Sequence, residues 1–239
     1  MDIEKYSKTA LQYYCGAVPE MLSRHLSNCQ FTTFLDCGCG DGSLLNILFK
    51  ENILSNKKTF AIDLSRDRIE RIKLLDTKIV ATIDNAEEMK TIENDSIDFF
   101  VSTSVIEHLD DRKMADSIYR VVKNNGLIYI TSVFKKWYGW YYHRNKGKWV
   151  IDPTHLREYK KDEELLGLFS NDLFQLLENK KTLLRFSVTD FFIKRIGVKN
   201  RNFYNKSKVF KVLRKIKVPI PGYYYWEIVL KKHEKTKEE

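Results

Sequence analysis

The sequence predicts an α/β fold, in which a doubly wound, mostly parallel sheet carries helices on both faces. Strand-like and helix-like segments alternate through the first half of the chain, and a glycine-rich turn follows the first strand. Such alternation is typical of parallel sheets, whose ligands bind beyond the carboxyl ends of the strands. The predicted strands are 31–36, 58–63, 78–83, 97–101 and 126–134, and the predicted helices are 42–51, 65–75 and 111–123.

The length and composition favour a single folded domain. The chain has 239 residues, of which 43% are hydrophobic, enough for one full core with insertions. No apolar run approaches the roughly 18 residues that span a bilayer, and the first residues do not form a signal peptide. The four cysteines fit a reducing compartment. We therefore expect a cytoplasmic protein.

The glycine turn lies within Phe34-Leu-Asp-Cys-Gly-Cys-Gly-Asp-Gly42. Glycines there allow positive φ and a close approach of the backbone to a ligand. Asp36 and Asp41 would repel a pyrophosphate, so they suit a ligand with positive charge, such as S-adenosylmethionine. Asp63 ends the second strand, where a carboxylate accepts hydrogen bonds from both ribose hydroxyls. Leu64 follows it and is predicted to lie against adenine.

Four motifs in this order resemble the class I S-adenosylmethionine-dependent methyltransferases. They are Leu35–Gly42, Asp63, Asn85-Ala86 and Val105-Ile-Glu-His108. The resemblance is to the small-molecule branch that includes the ubiquinone-pathway O-methyltransferases (methyltransferase type 11-like). The late stretch from Asp152 to Tyr159 is also similar to a segment of that branch.

The resemblance implies the cofactor and its ligands. S-adenosyl-L-methionine would bind with its methionine end in the glycine turn, its ribose on Asp63 and its adenine near Leu64. The Asn85 side-chain carbonyl would accept from the adenine amino group, although the family often has Asp at this position. The implied cofactor-binding residues are Asp36, Gly38, Cys39, Gly40, Asp63, Leu64, Asn85, Ala86 and Ser102.

The resemblance also implies a Rossmann-like sheet of seven strands whose last strand is antiparallel and lies beside strand 126–134. We expect four parts: an N-terminal helical lid (1–30), a cofactor-binding half (31–134), acceptor-side and basic insertions (135–222), and a closing strand (223–232). After residue 134 the predicted elements are an aromatic loop to Tyr159, a helix over 161–170, a strand within 174–186, helical pieces at 188–196 and 204–216, a turn at 218–222, and the last strand.

Positive charge is concentrated in residues 191–217, the basic stretch. No Asp or Glu occurs between Phe191 and Trp226, whereas ten Lys and Arg do, so the rest of this +9 chain is close to neutral. A second segment, 134–149, interleaves Trp and Tyr with Lys and Arg. Both segments are typical of a peripheral contact with the inner face of a membrane and of RNA binding. A third interpretation also stays open, in which the basic stretch is only a solvent-exposed face and the aromatic segment forms one wall of the site for a small acceptor. No RNA-binding module is recognisable, so the sequence favours contact with a membrane or with a lipid-linked acceptor.

The candidate proton acceptor is a histidine, because a hydroxyl is a poor nucleophile at neutral pH. His155 comes first and His108 second. Arg157, Tyr159 and, on the lid, Tyr14 are predicted to contact the acceptor. The cluster of Glu107, His108, Asp110 and Asp111 could hold a divalent cation, but its acids are interpreted equally well as the cap of a helix, and no metal is assigned.

The sequence thus predicts a methyltransferase that acts on an oxygen atom of a small or lipid-linked molecule, such as a surface-glycan precursor or a quinone-like phenol. Two alternatives remain open. One is an RNA or N-methyltransferase, although Ser102-Thr-Ser104 stands where base N-methylation motifs have Asn/Asp-Pro-Pro-Tyr. The other is a non-catalytic cofactor-binding sensor or membrane adaptor.

Overall fold

The computed structural model describes residues 17–75, 78–141, 143–145, 147–187, 212–213 and 216–233. The strands are β1 (Thr33–Cys37), β2 (Lys58–Asp63), β3 (Ile79–Ile83), β4 (Ile97–Thr103), β5 (Val122–Lys135), β6 (His143–Asn145), β7 (Lys148–Val150), β8 (Phe174–Ser187) and β9 (Lys217–Lys232). The helices are α1 (Glu20–Asn28), α2 (Ser43–Lys50), α3 (Arg66–Lys73), α4 (Asp111–Val121) and α5 (Asp162–Leu166), with a 3-10 turn at Ile106–His108.

Seven of these strands form one sheet in the order β3-β2-β1-β4-β5-β9-β8. All neighbours from β3 to β5 pair in parallel, and β9 runs antiparallel to both β5 and β8. This arrangement confirms the predicted fold class, including the antiparallel last strand beside residues 126–134. β6 and β7 form a separate two-stranded hairpin.

Both faces of the sheet are covered, because successive residues of the central strands point to opposite sides and both sides are apolar. Phe34 packs in the layer that contains buried residues of α1, α2 and α3. Its neighbour Leu35 packs in the layer that contains α4 and Trp226. The carboxyl ends of β1, β2 and β4 are therefore held rigidly from both sides.

Three elements differ from the prediction. The helix expected at 161–170 ends at Leu166, because Gly167 follows and glycine is disfavoured in the interior of a helix. The turn expected at 218–222 is wrong, because β9 already begins at Lys217. Its prolines are tolerated beside a register shift in β8, where the ladder is irregular. The β6–β7 hairpin lies in the segment expected to be a loop.

Several predicted features lie outside the described residues. They are the lid before residue 17 with Tyr14, the helical piece at 188–196, and most of the piece at 204–216. Val212 and Leu213 of that piece are helical and exposed. No helix in the described part of the chain is both long and apolar enough to cross a bilayer.

Candidate active site

The glycine turn (residues 38–42) connects β1 to α2 and is tied to β2. The N–H groups of Gly38 and Cys39 donate to the Ile62 carbonyl at 2.8 and 3.0 Å. Gly38 has φ +73°, and an added Cβ would lie 2.4 Å from Val105 Cγ2. Gly40 has φ +56°, but no described atom lies within 4 Å of its ideal Cβ position. The backbone at Gly40 therefore borders open space, where a ligand can contact it.

Asp36 lies beneath this turn and is 1% exposed. Its Oδ1 atom accepts no hydrogen bond from any residue that the structure describes. Burial, and then the negative charge of Asp63, raise the pKa of Asp36 to about 7. A buried carboxylate without a donor is stabilised by a nearby cation. The ammonium or sulfonium of S-adenosylmethionine would supply that charge, so the turn fits this group.

Asp63 links the glycine turn to α3. Its Oδ2 accepts from the Gly40 N–H at 3.0 Å and faces Arg68 Nη1 at 3.4 Å, while Oδ1 accepts from the Ser65 N–H at 2.9 Å. The carboxylate therefore shapes the turn, and the remaining lone pairs on its oxygens are the acceptors that a ribose would need. Leu64 follows it and is exposed, at the rim of the site.

The other predicted cofactor residues make contacts within the protein. The Asn85 side-chain carbonyl accepts from the Glu87 N–H at 3.0 Å, and Ser102 Oγ donates to the Cys37 carbonyl at 3.0 Å. Cys39 and Ala86 are buried in the core. The adenine contact at Asn85 and the role of Ser102 stay predictions, because both side chains already form hydrogen bonds within the protein.

The histidine loop (residues 152–159) folds onto the 3-10 turn after β4. The Leu156 N–H donates to the Glu107 carbonyl at 2.9 Å. This contact brings the rings of His108 and His155 together, with 4.7 Å between their centroids. His155 is only 7% exposed, and His108 is half-buried. The two candidate proton acceptors therefore belong to one cluster.

The tautomer of His108 follows from its partner Thr154. The single hydroxyl proton of Thr154 is donated to Asp152 Oδ1, which lies 2.6 Å from Oγ1. The hydroxyl can then only accept from His108 Nδ1, at 3.1 Å. In the neutral ring the proton is thus on Nδ1, and Nε2 carries a lone pair. Burial, and then the neighbouring His155, lower the pKa of His108, which favours this neutral form.

Two carboxylates flank His155. Glu107 Oε1 lies 4.0 Å from His155 Nε2, and Glu158 Oε1 lies 3.6 Å from Nδ1. Glu107 is fully buried, and its Oε2 accepts from Ser132 Oγ at 2.9 Å. Burial raises the pKa of Glu107. Sequence reasoning missed Glu158, although its place three residues after His155 in the same motif was a signal.

Arg157 and Tyr159, predicted to contact the acceptor, both bind Asp111. Arg157 Nη1 lies 3.1 Å from Asp111 Oδ2 and donates to the Leu109 carbonyl at 2.6 Å. The Tyr159 hydroxyl donates to the same Asp111 oxygen at 3.0 Å. These contacts hold the histidine loop against the start of α4. An acceptor-binding role for either side chain stays a prediction.

His155 lines a cleft of about 900 Å³, which is large enough for a small organic molecule. The aromatic segment (134–149) borders the same cleft through Lys148 and Trp149. None of the glycine-turn residues lines it. The cleft is therefore a candidate acceptor site beside the histidines, distinct from the cofactor turn.

The acids near His108 divide between two roles. Asp110 accepts from the Lys113 N–H and caps α4, as the sequence predicts. Glu107, His108 and His155 instead form a group in which one ligand atom of each lies within 4.8 Å of the others. The sequence places Glu107 and His108 together, but only the folded loop adds His155.

Comparison with known proteins supports the fold. The family model described as "Methyltransferase domain" matches residues 35–130. The chain is 27% identical over 137 residues to the uncharacterized protein MJ0638 of Methanocaldococcus jannaschii, covering 56% of each. It is 29% identical over 120 residues to the tRNA N(3)-methylcytidine methyltransferase trm140 of Schizosaccharomyces pombe, covering 46% of this chain and 39% of that protein. The matches span about half or less of these curated relatives.

Solved structures share the fold. YcgJ from Bacillus subtilis has a TM-score of 0.56 and 17% identity, covering 90% of this chain and 98% of that one. Geranyl diphosphate C-methyltransferase from Streptomyces coelicolor, in complex with Mg²⁺, geranyl diphosphate and S-adenosyl-L-homocysteine, has a TM-score of 0.57 and 12% identity, covering 89% and 76%. Together with the glycine turn, these findings show that residues 35–130 match a methyltransferase domain and that the chain has the fold of the class I S-adenosylmethionine-dependent methyltransferases.

Proposed function

We propose that this protein transfers a methyl group from S-adenosylmethionine to a hydroxyl oxygen of a small or lipid-linked acceptor. The observation that carries the proposal is the buried His155, which lines the cleft of about 900 Å³ and is flanked by two carboxylates. When bound, S-adenosylmethionine supplies an electrophilic methyl group on a positively charged sulfur. Asp36 would offset the cofactor's positive charge, Gly40 would admit the ligand to the backbone, and Asp63 would hold the ribose.

His155 is the first candidate for the residue that takes the acceptor's proton. The positive charge that would form on its ring lies 3.6 Å from Glu158 and 4.0 Å from Glu107, so either carboxylate would stabilise it. His108 is the second candidate, because its Nε2 carries a lone pair in the neutral ring. The Glu158 carboxylate is itself held by Lys135, Tyr223 and the Ile151 N–H, which keeps it in place beside His155.

A lipid-linked acceptor is supported by the surface beside the cleft. Trp137 is 91% exposed, and Tyr138 and Trp140 are about half exposed. Arg144 stacks over Trp149, 4.1 Å from the ring centroid. Exposed aromatics interleaved with cations suit the headgroup region of an anionic membrane. This surface would hold the protein at a membrane while the headgroup of a lipid-linked acceptor entered the cleft.

An RNA or N-methyltransferase is the second candidate function, favoured by the similarity to trm140. The serine-rich stretch Ser102-Thr-Ser104 after β4 counts against methylation of a base amino group. Binding of bulk tRNA, with methyl transfer to it, would support this alternative.

The test combines cofactor binding with methyl transfer. Calorimetric titration with S-adenosylmethionine should show micromolar binding, whereas NAD should not bind. Radiolabelled cofactor should then label an extract of anionic lipids and lipid-linked glycans, or a panel of simple phenols, more strongly than bulk tRNA. His155→Ala should lower the rate about 100-fold without changing cofactor affinity, and His25→Gln is the control. Absence of cofactor binding, or labelling of tRNA alone, would contradict the proposal.

A further inference from the structure

We propose that Arg68 determines how the cofactor site distinguishes S-adenosylmethionine from S-adenosylhomocysteine, the product that methyl transfer leaves. Its guanidinium pairs with Asp63 in this structure and has to release that carboxylate when a ribose binds. Its positive charge then disfavours the methyl donor, which carries one positive charge more than the product. This inference rests on the proposed function, because it takes S-adenosylmethionine as the ligand of the glycine turn.

Arg68 and Arg71 lie one turn apart on the side of α3 that packs against the glycine turn. Residues three or four apart share a helix face, and on this face an added Cβ at Gly42 would lie 3.0 Å from Ile72 Cγ1. The Arg68 N–H donates to Ser65 Oγ at 3.4 Å, which holds the backbone of Arg68 at the N-terminus of the helix. Both guanidinium groups are therefore directed towards the turn.

The two arginines pair with carboxylates at the glycine turn. Arg68 Nη1 donates to Asp63 Oδ2 at 3.4 Å, and Arg71 Nη2 lies 3.1 Å from Asp41 Oδ1. Asp36 pairs with no cation in the part of the chain that the structure describes. A cationic ligand therefore meets less negative charge than the three carboxylates would present without α3.

The hydrogen bonds of Asp63 show why Arg68 has to move. A carboxylate accepts about four hydrogen bonds in all. Three of these positions are taken, by the N–H groups of Gly40 and Ser65 and by Arg68. A ribose that donates both of its hydroxyls needs two, so it has to displace one partner. The backbone donors are fixed by the chain and bind at 3.0 and 2.9 Å, whereas the Arg68 side chain can rotate away from its longer contact.

The released guanidinium stays close to the ligand. The backbone of Arg68 is held by Ser65, and its side chain is only 16% exposed. Burial, then the neighbouring His155 and, more weakly, the positive charge of Arg68 lower the pKa of His108. The charge of Arg68 therefore acts on both Asp63 and His108. The sulfonium would lie between these two, because the ribose is held at Asp63 and the methyl group has to reach an acceptor near the histidines.

S-adenosylmethionine and S-adenosylhomocysteine differ in charge only at sulfur. Both carry an ammonium and a carboxylate, but the first has a positively charged sulfonium and the second a neutral thioether. Repulsion from Arg68 therefore falls on the methyl donor and spares the product. Displacement of Arg68 from Asp63 weakens the binding of both ligands, because each has to bind a form of the site that is populated only in part.

Calorimetry with the two ligands tests this assignment. The full-length wild type and variants of Arg68 are each titrated with S-adenosylmethionine and with S-adenosylhomocysteine. Arg68→Met should bind the first about tenfold tighter and the second about threefold tighter, because both gain the released Asp63 and only the first loses a repulsion. Arg68→Gln, which can still donate to Asp63, should raise the ratio of the two affinities in the same direction. Arg68→Lys keeps the charge, so its ratio should stay within about twofold of wild type.

The matched control is Lys73→Met, which removes one positive charge from the exposed part of α3, where Lys73 pairs with Glu70 at 2.9 Å. Its two affinities should equal those of wild type. Urea midpoints report whether each variant is folded. An unchanged affinity ratio in folded Arg68→Met or Arg68→Gln, or weaker binding of S-adenosylmethionine by Arg68→Met, would overturn the inference. If wild type binds both ligands and the variants match it, only the role of Arg68 fails; if wild type binds neither ligand, the proposed function fails with it.

Discussion

The rings of His108 and His155 lie edge to face at an interplanar angle of 74°, on segments that are far apart in the chain. Because the rings share one cluster with Glu107, they are expected to act as a unit. His108→Ala and His155→Ala should each lower kcat about 100-fold, and the double variant should lose little more than the worse single one. Single-turnover methyl transfer checks this, with S-adenosylmethionine affinity as the control. Fully multiplicative losses would show that the two histidines act independently.

Because Asp36 is buried, we expect the stability of the folded protein to fall as pH rises. Its pKa is about 7 in the folded protein against an ordinary 3.8, so the folded state binds the proton more tightly than the unfolded state. The free energy of unfolding of the ligand-free protein should therefore fall as pH rises from about 4 to 7, by about 4 kcal/mol at most. Urea unfolding at several pH values measures this contribution, which Asp36→Asn should remove.

The same group should make cofactor binding pH-dependent in the opposite direction. Ionised Asp36 attracts the positive charges of S-adenosylmethionine, so affinity should rise as pH increases through 7. Calorimetry at pH 6 and pH 8 tests this expectation. An Asp36→Asn variant with the same pH profile as wild type would assign the effect to another group.

Substitutions at Gly38 and Gly40 should have different effects: the first should lower stability, and the second should mainly weaken cofactor binding. In Gly38→Ala the new Cβ would lie 2.4 Å from Val105, in addition to the strain of positive φ, so unfolding should be easier by about 2–4 kcal/mol. Gly40→Ala adds only the strain of about 1 kcal/mol, because its Cβ faces open space. That Cβ would occupy the ligand's side of the turn and should weaken S-adenosylmethionine binding at least about tenfold. Unchanged affinity in Gly40→Ala would move the cofactor away from this turn.

Lys232 should be needed for the attachment of β9 to the helical layer. Its buried ammonium donates to the carbonyls of Tyr119 and Val122 and to Asp95, all at 2.7–2.8 Å. Lys232→Met would remove all three of these hydrogen bonds and should cost about 2–4 kcal/mol of unfolding free energy. Lys231→Met, at the neighbouring and more exposed position, should cost less than about 0.5 kcal/mol. Equal urea midpoints for the two variants would count against this account.

Membrane contact should depend on the exposed tryptophans of the aromatic segment. Trp137→Ser with Trp140→Ser should reduce sedimentation with anionic liposomes at low salt by about tenfold. Leu74→Ser removes a comparably exposed apolar side chain, 86% exposed, outside the segment and should have no effect. Equal losses in the two variants would indicate non-specific adsorption.

The sequence predicts the parallel half of the sheet well, because its strands are apolar runs bounded by glycines and acids. It predicts the β9 boundary poorly, since Pro219 and Pro221 are typical of a turn and only the irregular pairing with β8 makes them compatible with a strand. The glycine turn and Asp63 are local motifs and could be located in advance. The junction of His155 with Glu107 depends on a hydrogen bond between a loop and a 3-10 turn, which no local pattern encodes.

The position of β9 has a consequence for the order of folding. β8 pairs with no other strand than β9 in the described sheet, and β9 lies between it and β5. During synthesis β8 leaves the ribosome before β9 and has no strand to pair with until β9 follows. The edge of β5 that pairs with β9 stays exposed for the same time. Closure of the sheet is therefore a late, non-local step, which slows folding and leaves that edge open to chaperones or to aggregation until the last strand is inserted.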